Sequence, residues 1–158
     1  MLPKKRHLLS LVLFVLLVLG GGTLIGLVVH PDGWYAALHK PVFTPPNWIF
    51  APVWSALYLM IALAGWKAWQ VPAPARTTLV VLWSLQLVLN FCWSPLFFGL
   101  HQITFALVII CGLLLTILAF ILVAWRRGER QTALLMVPYG AWVSFATVLN
   151  AAFYRLNG

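Results

Sequence analysis

Five long apolar segments follow one another along the chain, and each is continuously hydrophobic rather than alternating between apolar and polar residues. A helix needs about 20 apolar residues to cross a bilayer. Because the bilayer core offers no water, each segment must satisfy its backbone polar groups internally, and a pattern without alternation excludes β-barrel strands. The pattern therefore predicts an all-α membrane protein, a bundle of five transmembrane helices forming one domain over residues 1–158, with helices at about 8–29, 48–69, 78–100, 104–125 and 133–153.

The composition supports this prediction and excludes several soluble classes. Of the 158 residues, 63% are hydrophobic and 8% are charged, whereas a soluble domain has about a quarter charged residues. Soluble enzymes, disordered tails and nucleic-acid-binding modules are therefore excluded. Five spans leave about 50 residues for connections, too few for a domain outside the membrane. Any binding site must lie between the helices or in the loops.

The ten Lys and Arg residues lie at the ends of the spans, where they indicate orientation rather than a nucleic-acid partner. Eight of them fall at the N-terminus and in the second and fourth connections, and only Lys40 and Arg155 fall on the other side. Because cytoplasmic loops are enriched in Lys and Arg, this distribution predicts a cytoplasmic N-terminus and an outer C-terminus. We expect a multi-pass protein of a bacterial cell membrane, surrounded by lipid.

The first connection, from His30 to Asn47, is long and lies on the predicted outer side. It contains four prolines, which make it stiff. Loops of this length without a helix of their own are usually lids or binding loops. We therefore expect this connection to act as the lid of a pocket.

Aromatic and polar side chains recur at helical spacing on three of the predicted spans. Residues three or four positions apart share a helix face, and a rise of about 1.5 Å per residue places several of them about 10–16 Å below the outer ends of their spans. An aromatic cavity with few polar groups suits a planar apolar ligand. The alternative is that these residues only pack and join the helices. The predicted pocket residues are Trp48, Trp54, Tyr58, Gln86, Asn90, Trp93, Phe97, Tyr139, Trp142, Phe145, Ala146 and Asn150.

The only acidic residues, Asp32 and Glu129, both lie outside the spans. Carboxylate acid–base catalysis and a carrier with an intramembrane carboxylate are therefore not expected. The histidines lie at span ends or in loops, which argues against a permanent haem with two histidine ligands. We predict no metal site and no obligatory cofactor. The alternative is that His30, His39 and His101, all on the outer side, bind a metal or a haem iron at the mouth of the pocket.

Taken together, these residues resemble the translocator protein family, also known as TspO or the peripheral benzodiazepine receptor. The resemblance runs from about Gly26 to Asn157, and both the five-span layout and the order of the motifs agree. The motifs are Trp34-Tyr35, Lys40-Pro41, Pro45-Pro46-x-Trp48-x-Phe50, Pro52-Val53-Trp54-x-x-Leu57-Tyr58, Gln86-x-x-x-Asn90-x-x-Trp93-Ser94, Phe97-Phe98, Tyr139-x-x-Trp142-x-x-Phe145-Ala146-x-x-Leu149-Asn150 and Leu156-Asn157.

The resemblance implies a five-helix bundle, usually a homodimer, that binds porphyrins such as protoporphyrin IX or haem between its helices under the first loop. Some members also bind cholesterol and benzodiazepine-like drugs, but the sterol pattern at residues 149–155 lacks its spacer here, which argues against sterol binding. Some bacterial members degrade protoporphyrin in light with the two tryptophans that match Trp54 and Trp142. Many members have Trp where this chain has Phe43, so the lid contacts are expected to differ.

A porphyrin carries two carboxylates, and the outer side offers two permanent cations. We therefore expect Lys40 and Arg155, with His39, to bind the carboxylates at the pocket mouth, beside Phe43. The leading hypothesis is a porphyrin-binding membrane protein that acts as a sensor, regulator or scavenger. One alternative is a light- and oxygen-dependent porphyrin-degrading enzyme that uses those two tryptophans. Another is a transporter of porphyrin or of another lipophilic ligand.

Overall fold

The computed structural model describes residues 4–158, with side chains from residue 7 onwards, and every regular element in that range is helical. In the first span, α1 (Lys4–Val15) continues through a π-helical turn (Leu16–Gly20) into α2 (Gly21–Val28). The remaining elements are the short α3 (Gly33–Ala37), a 3-10 turn (Asn47–Ile49), α4 (Phe50–Gln70), α5 (Ala75–Ser94), a π-helical turn that extends α5 (Pro95–Gly99), α6 (Ile103–Arg126) and α7 (Arg130–Asn157).

Five helical segments are long and apolar enough to cross a membrane, which confirms the predicted all-α architecture with five spans. They are His7–Val28, Asn47–Gln70, Ala75–Gly99, Ile103–Arg126 and Arg130–Asn157. The last helix is longer than the predicted 133–153, because helical bonding continues through polar residues at both of its ends. The side chains of Lys4, Lys5 and Arg6, which contribute to the predicted orientation, lie outside the described residues. The cytoplasmic N-terminus stays a prediction.

Close packing of α4 against α5 depends on small residues. Ala62, Gly65 and other small side chains of α4 are buried, and small residues let helix backbones approach each other in lipid. The indole of Trp83, on α5, fills the space beside Gly65. Its Nε1 donates a hydrogen bond of 2.8 Å to the carbonyl oxygen of Ile61. This contact fixes the spacing of the two helices in the middle of the bundle.

The Gly22-x-x-x-Gly26 pattern of the first span is typical both of helix dimers and of close packing within a bundle. A Cβ added at Gly22 would overlap the ring of Tyr58, so this glycine is used inside the bundle. Apart from its chain neighbours and the backbone of its own helix, no atom lies within 4 Å of the position that a Cβ at Gly26 would occupy. The homodimer implied by the family resemblance stays a prediction.

The two ends of the bundle differ in charge and in chain path. The basic end carries the α4–α5 turn (residues 71–74), the α6–α7 turn (residues 127–129) and most of the described Lys and Arg side chains. The loop end carries the first connection (residues 29–49), the α5–α6 turn and the end of α7. Large exposed apolar side chains cover the surface between the two ends, as expected where lipid is in contact. The chain is a multi-pass membrane protein.

Replacing Gly65 with alanine is expected to destabilise the bundle by about 1–3 kcal/mol, the usual cost of overpacking. The added Cβ would displace the Trp83 indole and break its bond to Ile61. Thermal unfolding in detergent micelles measures the effect. Gly26→Ala is the control, because it makes the same change where space is free. An equal loss of stability in both variants would contradict this role of Gly65.

Candidate functional site

A cavity of about 50 Å³ lies inside the loop end of the bundle, between α4, α5, α6 and α7 and beside α3. This volume has room for only a few water molecules. Its lining is mainly aromatic and aliphatic. The lining residues are Tyr35, Phe50, Trp54, Asn90, Trp93, Phe97, Phe98, Ile110, Leu113, Trp142, Val143, Phe145, Ala146, Leu149, Asn150 and Phe153.

Eight of the predicted pocket residues are brought together around this cavity, on α4, α5 and α7. They are Trp54, Asn90, Trp93, Phe97, Trp142, Phe145, Ala146 and Asn150. The π-helical turn that begins at Pro95 extends the third span far enough to add Phe97 and Phe98. Several aromatic rings are already in contact with one another. The rings of Trp142 and Phe145, for example, have centroids 5.7 Å apart.

The other four predicted pocket residues, Trp48, Tyr58, Gln86 and Tyr139, do not line the cavity. Tyr58, Gln86 and Tyr139 each lie one helical turn nearer the basic end than a residue that does line it, and they pack beneath the cavity floor. Trp48 belongs to the 3-10 turn that precedes α4, so it does not follow the helical phase of Trp54. Its side chain is 74% exposed.

Asn90 joins three helices under the cavity. Its Nδ2 donates to the hydroxyl oxygen of Tyr139, on α7, at 2.8 Å. The hydroxyl of Tyr58, on α4, donates to Asn90 Oδ1 over a longer distance of 3.5 Å. Both Asn90 and Tyr139 are buried. Because an unpaired polar group is costly in a membrane, these bonds hold α4, α5 and α7 together at the floor.

Asn150 makes the corresponding connection on the other wall. Its Oδ1 accepts a hydrogen bond of 3.0 Å from Trp93 Nε1, and its Nδ2 donates to the carbonyl oxygen of Ile103 at 3.2 Å. The Trp93 ring thereby stays stacked on Phe97, with centroids 5.4 Å apart and planes at 25°. The side-chain amides of both lining asparagines are thus bonded within the protein. The cavity offers a ligand mainly aromatic and aliphatic surface.

The first connection covers this end of the bundle, and it differs from the expected loop by having a helix of its own. α3 forms because Asp32 caps it, with Oδ1 accepting a hydrogen bond of 3.1 Å from the Tyr35 backbone amide. That bond is the main cause of an Asp32 pKa below the ordinary value. The Tyr35 ring packs against Phe97, Phe98 and Phe153, and this burial raises the pKa of its hydroxyl.

Two polar contacts tie this lid, residues 29–49, to the rest of the loop end. The side chain of Asn157 accepts from the backbone amide of His39 at 2.8 Å and donates to the carbonyl of the same residue at 3.0 Å. The carboxylate of Asp32 lies 3.3 Å from Nε2 of His101, whose ring stacks on Trp34 with centroids 4.2 Å apart. Both contacts are exposed to solvent, so each contributes modestly to stability.

The other three predicted mouth residues also lie at the loop end. Nζ of Lys40 lies 4.9 Å from the ring centroid of Tyr35. Phe43 meets Phe145 edge to face, with centroids 6.3 Å apart. Arg155 is exposed in the last turn of α7. In the part of the chain that the structure describes, no three His, Cys, Asp or Glu side chains come together as a group that could hold a metal ion.

Known proteins resemble this chain along most of its length. The family model described as the TspO/MBR family matches residues 14–155. The chain belongs to the TspO/MBR family. It is 40% identical over 124 residues to "Tryptophan-rich protein TspO" of Archaeoglobus fulgidus, a match that covers 78% of this chain and 80% of that protein. It is 38% identical over 151 residues to "Translocator protein" of Ovis aries, covering 91% and 88% of the two chains. It is 32% identical over 148 residues to "Tryptophan-rich sensory protein" of Cereibacter sphaeroides, covering 94% and 92%.

The cavity of this TspO/MBR protein includes residues that helical spacing did not reveal. Ile110 and Leu113 come from α6, which is apolar around its whole circumference, so no pattern marks the face that they share. Tyr35 comes from α3, a helix that was not predicted. The Trp34-Tyr35 motif was the feature of the sequence that could have indicated its place in the cavity. A tyrosine next to a capped turn has an apolar ring that is favourably buried.

Replacing Asp32 with alanine is expected to increase hydrogen exchange of the α3 amides severalfold, because the helix loses its N-cap. Asp32→Asn keeps an acceptor for the Tyr35 amide and is expected to retain most of the protection. Exchange over residues 33–37 measures the difference, and wild-type protection in the alanine variant would contradict the capping.

Because the folded pKa of Asp32 lies below its ordinary value of 3.8, its stabilisation of the lid is complete above that pH and is lost as the pH falls through the lowered pKa.

Proposed function

We propose that the chain binds a porphyrin or a similar planar tetrapyrrole, such as protoporphyrin IX or haem, in the cavity at the loop end, and acts as a sensor, regulator or scavenger. The lining is the observation that carries this proposal, since aromatic side chains from several helices meet there while both asparagine amides are already bonded. Aromatic faces stack on flat conjugated rings. The name "Tryptophan-rich sensory protein" of the Cereibacter sphaeroides relative is compatible with a sensing role.

Binding requires the cavity to widen. Its volume is about 50 Å³, whereas clefts for drug-sized ligands usually have about 300–1,000 Å³. The floor is tied by the buried bonds of Asn90, whereas the polar contacts of the lid, with Asn157 and His101, are exposed, and the Tyr35 ring is its buried aromatic contact. The lid is therefore the part that moves at the lower cost. In this proposal the ligand enters beneath it, and Phe43 separates from Phe145 as the site opens.

The porphyrin carboxylates remain at the mouth in this arrangement. The cavity lining includes no cationic side chain, and an unpaired carboxylate inside it would be costly. Lys40 and Arg155 are exposed at the loop end, outside the cavity lining. Together with His39 they are the proposed partners of the two carboxylates.

Titration with protoporphyrin IX in the dark tests the proposal. The wild-type protein in detergent micelles is expected to show saturable quenching of tryptophan fluorescence, with about one ligand per chain. Ala146→Phe fills the cavity and is expected to weaken binding about tenfold or more, since overpacking costs about 1–3 kcal/mol. Ala141→Phe is the matched control, because residue 141 is exposed on the same helix. Equal affinities of the two variants would contradict the proposed site.

The Lys40→Ala, Arg155→Ala double variant tests the proposed mouth. It is expected to bind protoporphyrin IX roughly two- to tenfold more weakly, the range that exposed ion pairs allow. The dimethyl ester of the same porphyrin lacks the carboxylates, and its affinity is expected not to change. The idea that these cations meet the carboxylates fails if the double variant binds the free acid as tightly as the wild type does.

A second candidate function is light- and oxygen-dependent degradation of the bound porphyrin. Trp54 and Trp142 line the same cavity from different helices, so a ligand in it would contact both side chains. The lining includes no carboxylate, histidine or cysteine, and Tyr35 is its one titratable side chain, which provides no acid–base pair for a hydrolytic reaction. The site offers aromatic side chains that can donate an electron to a photo-excited ligand. Dioxygen is the oxidant of the porphyrin in this reaction.

Trp142→Phe separates binding from degradation. The variant keeps an aromatic ring in the cavity, so dark binding of protoporphyrin IX is expected to stay within about threefold of wild type, because one ring replaces another. If the second candidate is correct, illumination in air bleaches the porphyrin absorbance bands in the wild type but not in this variant. Stable bands in the illuminated wild type would leave binding alone as the function.

A further inference from the structure

A groove, separate from the cavity, opens at the basic end. This groove, of about 460 Å³, lies between the end of α4 with its following turn and the α6–α7 turn with the first residues of α7. Its size falls within the range of about 300–1,000 Å³ that is usual for ligand clefts. The lining combines charged, amide and apolar side chains. They are Trp66, Lys67, Gln70, Val71, Pro72, Gly128, Glu129, Arg130, Gln131 and Thr132.

Two cations of the groove are held in place by other side chains. Nζ of Lys67, which is half-buried, donates a hydrogen bond of 2.9 Å to Oε1 of Gln131, so that α4 and α7 are linked. The guanidinium of Arg130 lies over the ring of Trp125, with its central carbon 5.7 Å from the centroid. Side chains that are already restrained lose less entropy when they bind an anion. The groove is thus partly preorganised for negative charge.

The positive charge at this end is not balanced by the protein. Glu129 is the one acidic side chain there among residues 7–158, and the one contact in that range between a carboxylate and a basic side chain joins Asp32 to His101 at the loop end. α7 also begins at the groove without a side-chain cap, and its first amides add to the positive potential. The cations at this end with described side chains are Lys67, Arg76, Arg126, Arg127 and Arg130.

The groove lies at the level expected for lipid headgroups. Trp69 and Trp125 are 47% and 51% exposed near it, and tryptophan is enriched at membrane–water interfaces. The guanidinium of Arg76 lies 5.8 Å from the ring centroid of Trp69. Trp66 and Val71 add apolar surface to the groove itself. An anion with an apolar continuation, rather than a free inorganic ion, matches this combination.

We propose that the groove binds the phosphate of an anionic phospholipid, with Lys67 and Arg130 as its cationic partners. The general enrichment of cations on the cytoplasmic side accounts for Lys and Arg at the ends of spans. It does not account for two cations that line one groove and are held there by Gln131 and Trp125. Basic pockets between membrane helices are typical sites for lipid phosphates.

Lipid titration of the full-length protein in detergent micelles tests the proposal, with native mass spectrometry resolving the first bound lipid. The probes are phosphatidylglycerol and phosphatidylcholine with the same acyl chains. Wild-type protein is expected to prefer phosphatidylglycerol. The Lys67→Gln, Arg130→Gln variant is expected to bind it about 25-fold more weakly, since each cation near the surface contributes a factor of about five. Glu129→Gln removes the opposing charge and is expected to tighten binding about fivefold.

Arg126→Gln, Arg127→Gln is the matched control, because it removes the same charge at the same end without altering the groove lining. It is expected to keep the wild-type affinity within about threefold, since charges that do not contact the bound phosphate act through solvent and are partly screened. Equal losses in the two glutamine double variants would indicate general surface attraction and overturn the proposal. Lys67→Arg, Arg130→Lys keeps both charges, and a loss as large as that of the glutamine variant would likewise overturn it.

Competition with inorganic phosphate distinguishes a lipid phosphate from a free phosphate ion as the occupant of the groove. At millimolar concentration it is expected not to displace phosphatidylglycerol, because it lacks the apolar part that the groove wall contacts. Displacement of the lipid by inorganic phosphate at that concentration would assign the groove to a soluble anion instead and overturn the lipid assignment.

Discussion

Inside a bilayer no water is available to pair with polar groups, so every amide and hydroxyl of the spans needs a partner within the protein. Short hydroxyl side chains such as Ser55 and Thr116 bond to the carbonyl one turn earlier in their own helix. The amides of Asn90 and Asn150 reach neighbouring helices instead. Within the described chain, Gln86 Oε1 is the one buried side-chain nitrogen or oxygen atom without a hydrogen-bond partner. The bonds of the two asparagines hold the helices together at the loop end.

This constraint also decides what the cavity offers to a ligand. Because Asn90 and Asn150 are occupied by Tyr139, Trp93 and a backbone carbonyl, their amides are not free to specify a polar partner. The rings held by these bonds remain as the surface that the proposed ligand would contact. The floor is fixed by buried hydrogen bonds, whereas the lid has exposed polar contacts together with the buried ring of Tyr35. Regions held by few buried contacts open at the lowest free energy, so in the proposed function the lid, rather than the helices, opens the cavity.

The cavity and the groove differ in chemistry although α4 and α7 contribute to both. Along α7, Arg130 at the groove and Trp142 at the cavity are separated by about 18 Å, given the rise of a helix. The groove is open and basic because it lies where charged side chains reach water. The cavity is closed and aromatic because it lies within the depth of the bilayer. One pair of helices thus presents two surfaces, each determined by its depth in the membrane.

Helical periodicity was sufficient to predict much of this structure. The lengths of the apolar segments gave five spans, and spacing by threes and fours identified one face of α5 and one of α7, from which Asn90, Trp93 and Trp142 line the cavity. Such spacing reports the direction of a side chain around its helix axis, and the rise of the helix reports its depth, but neither shows where the cavity ends. Tyr139 therefore shared the predicted face and yet lies under the floor.

Other parts of the site depended on which elements become neighbours in space. In a uniformly apolar helix the sequence does not distinguish the face that packs into the bundle. Only the packed structure therefore shows that α6 contributes Ile110 and Leu113 to the cavity lining. The place of Tyr35 depends on a cap of only one hydrogen bond and on rings more than 50 residues away in the chain. The volume of the cavity likewise depends on how closely the side chains of several helices interlock. These properties arise from contacts between distant segments, which local spacing does not encode.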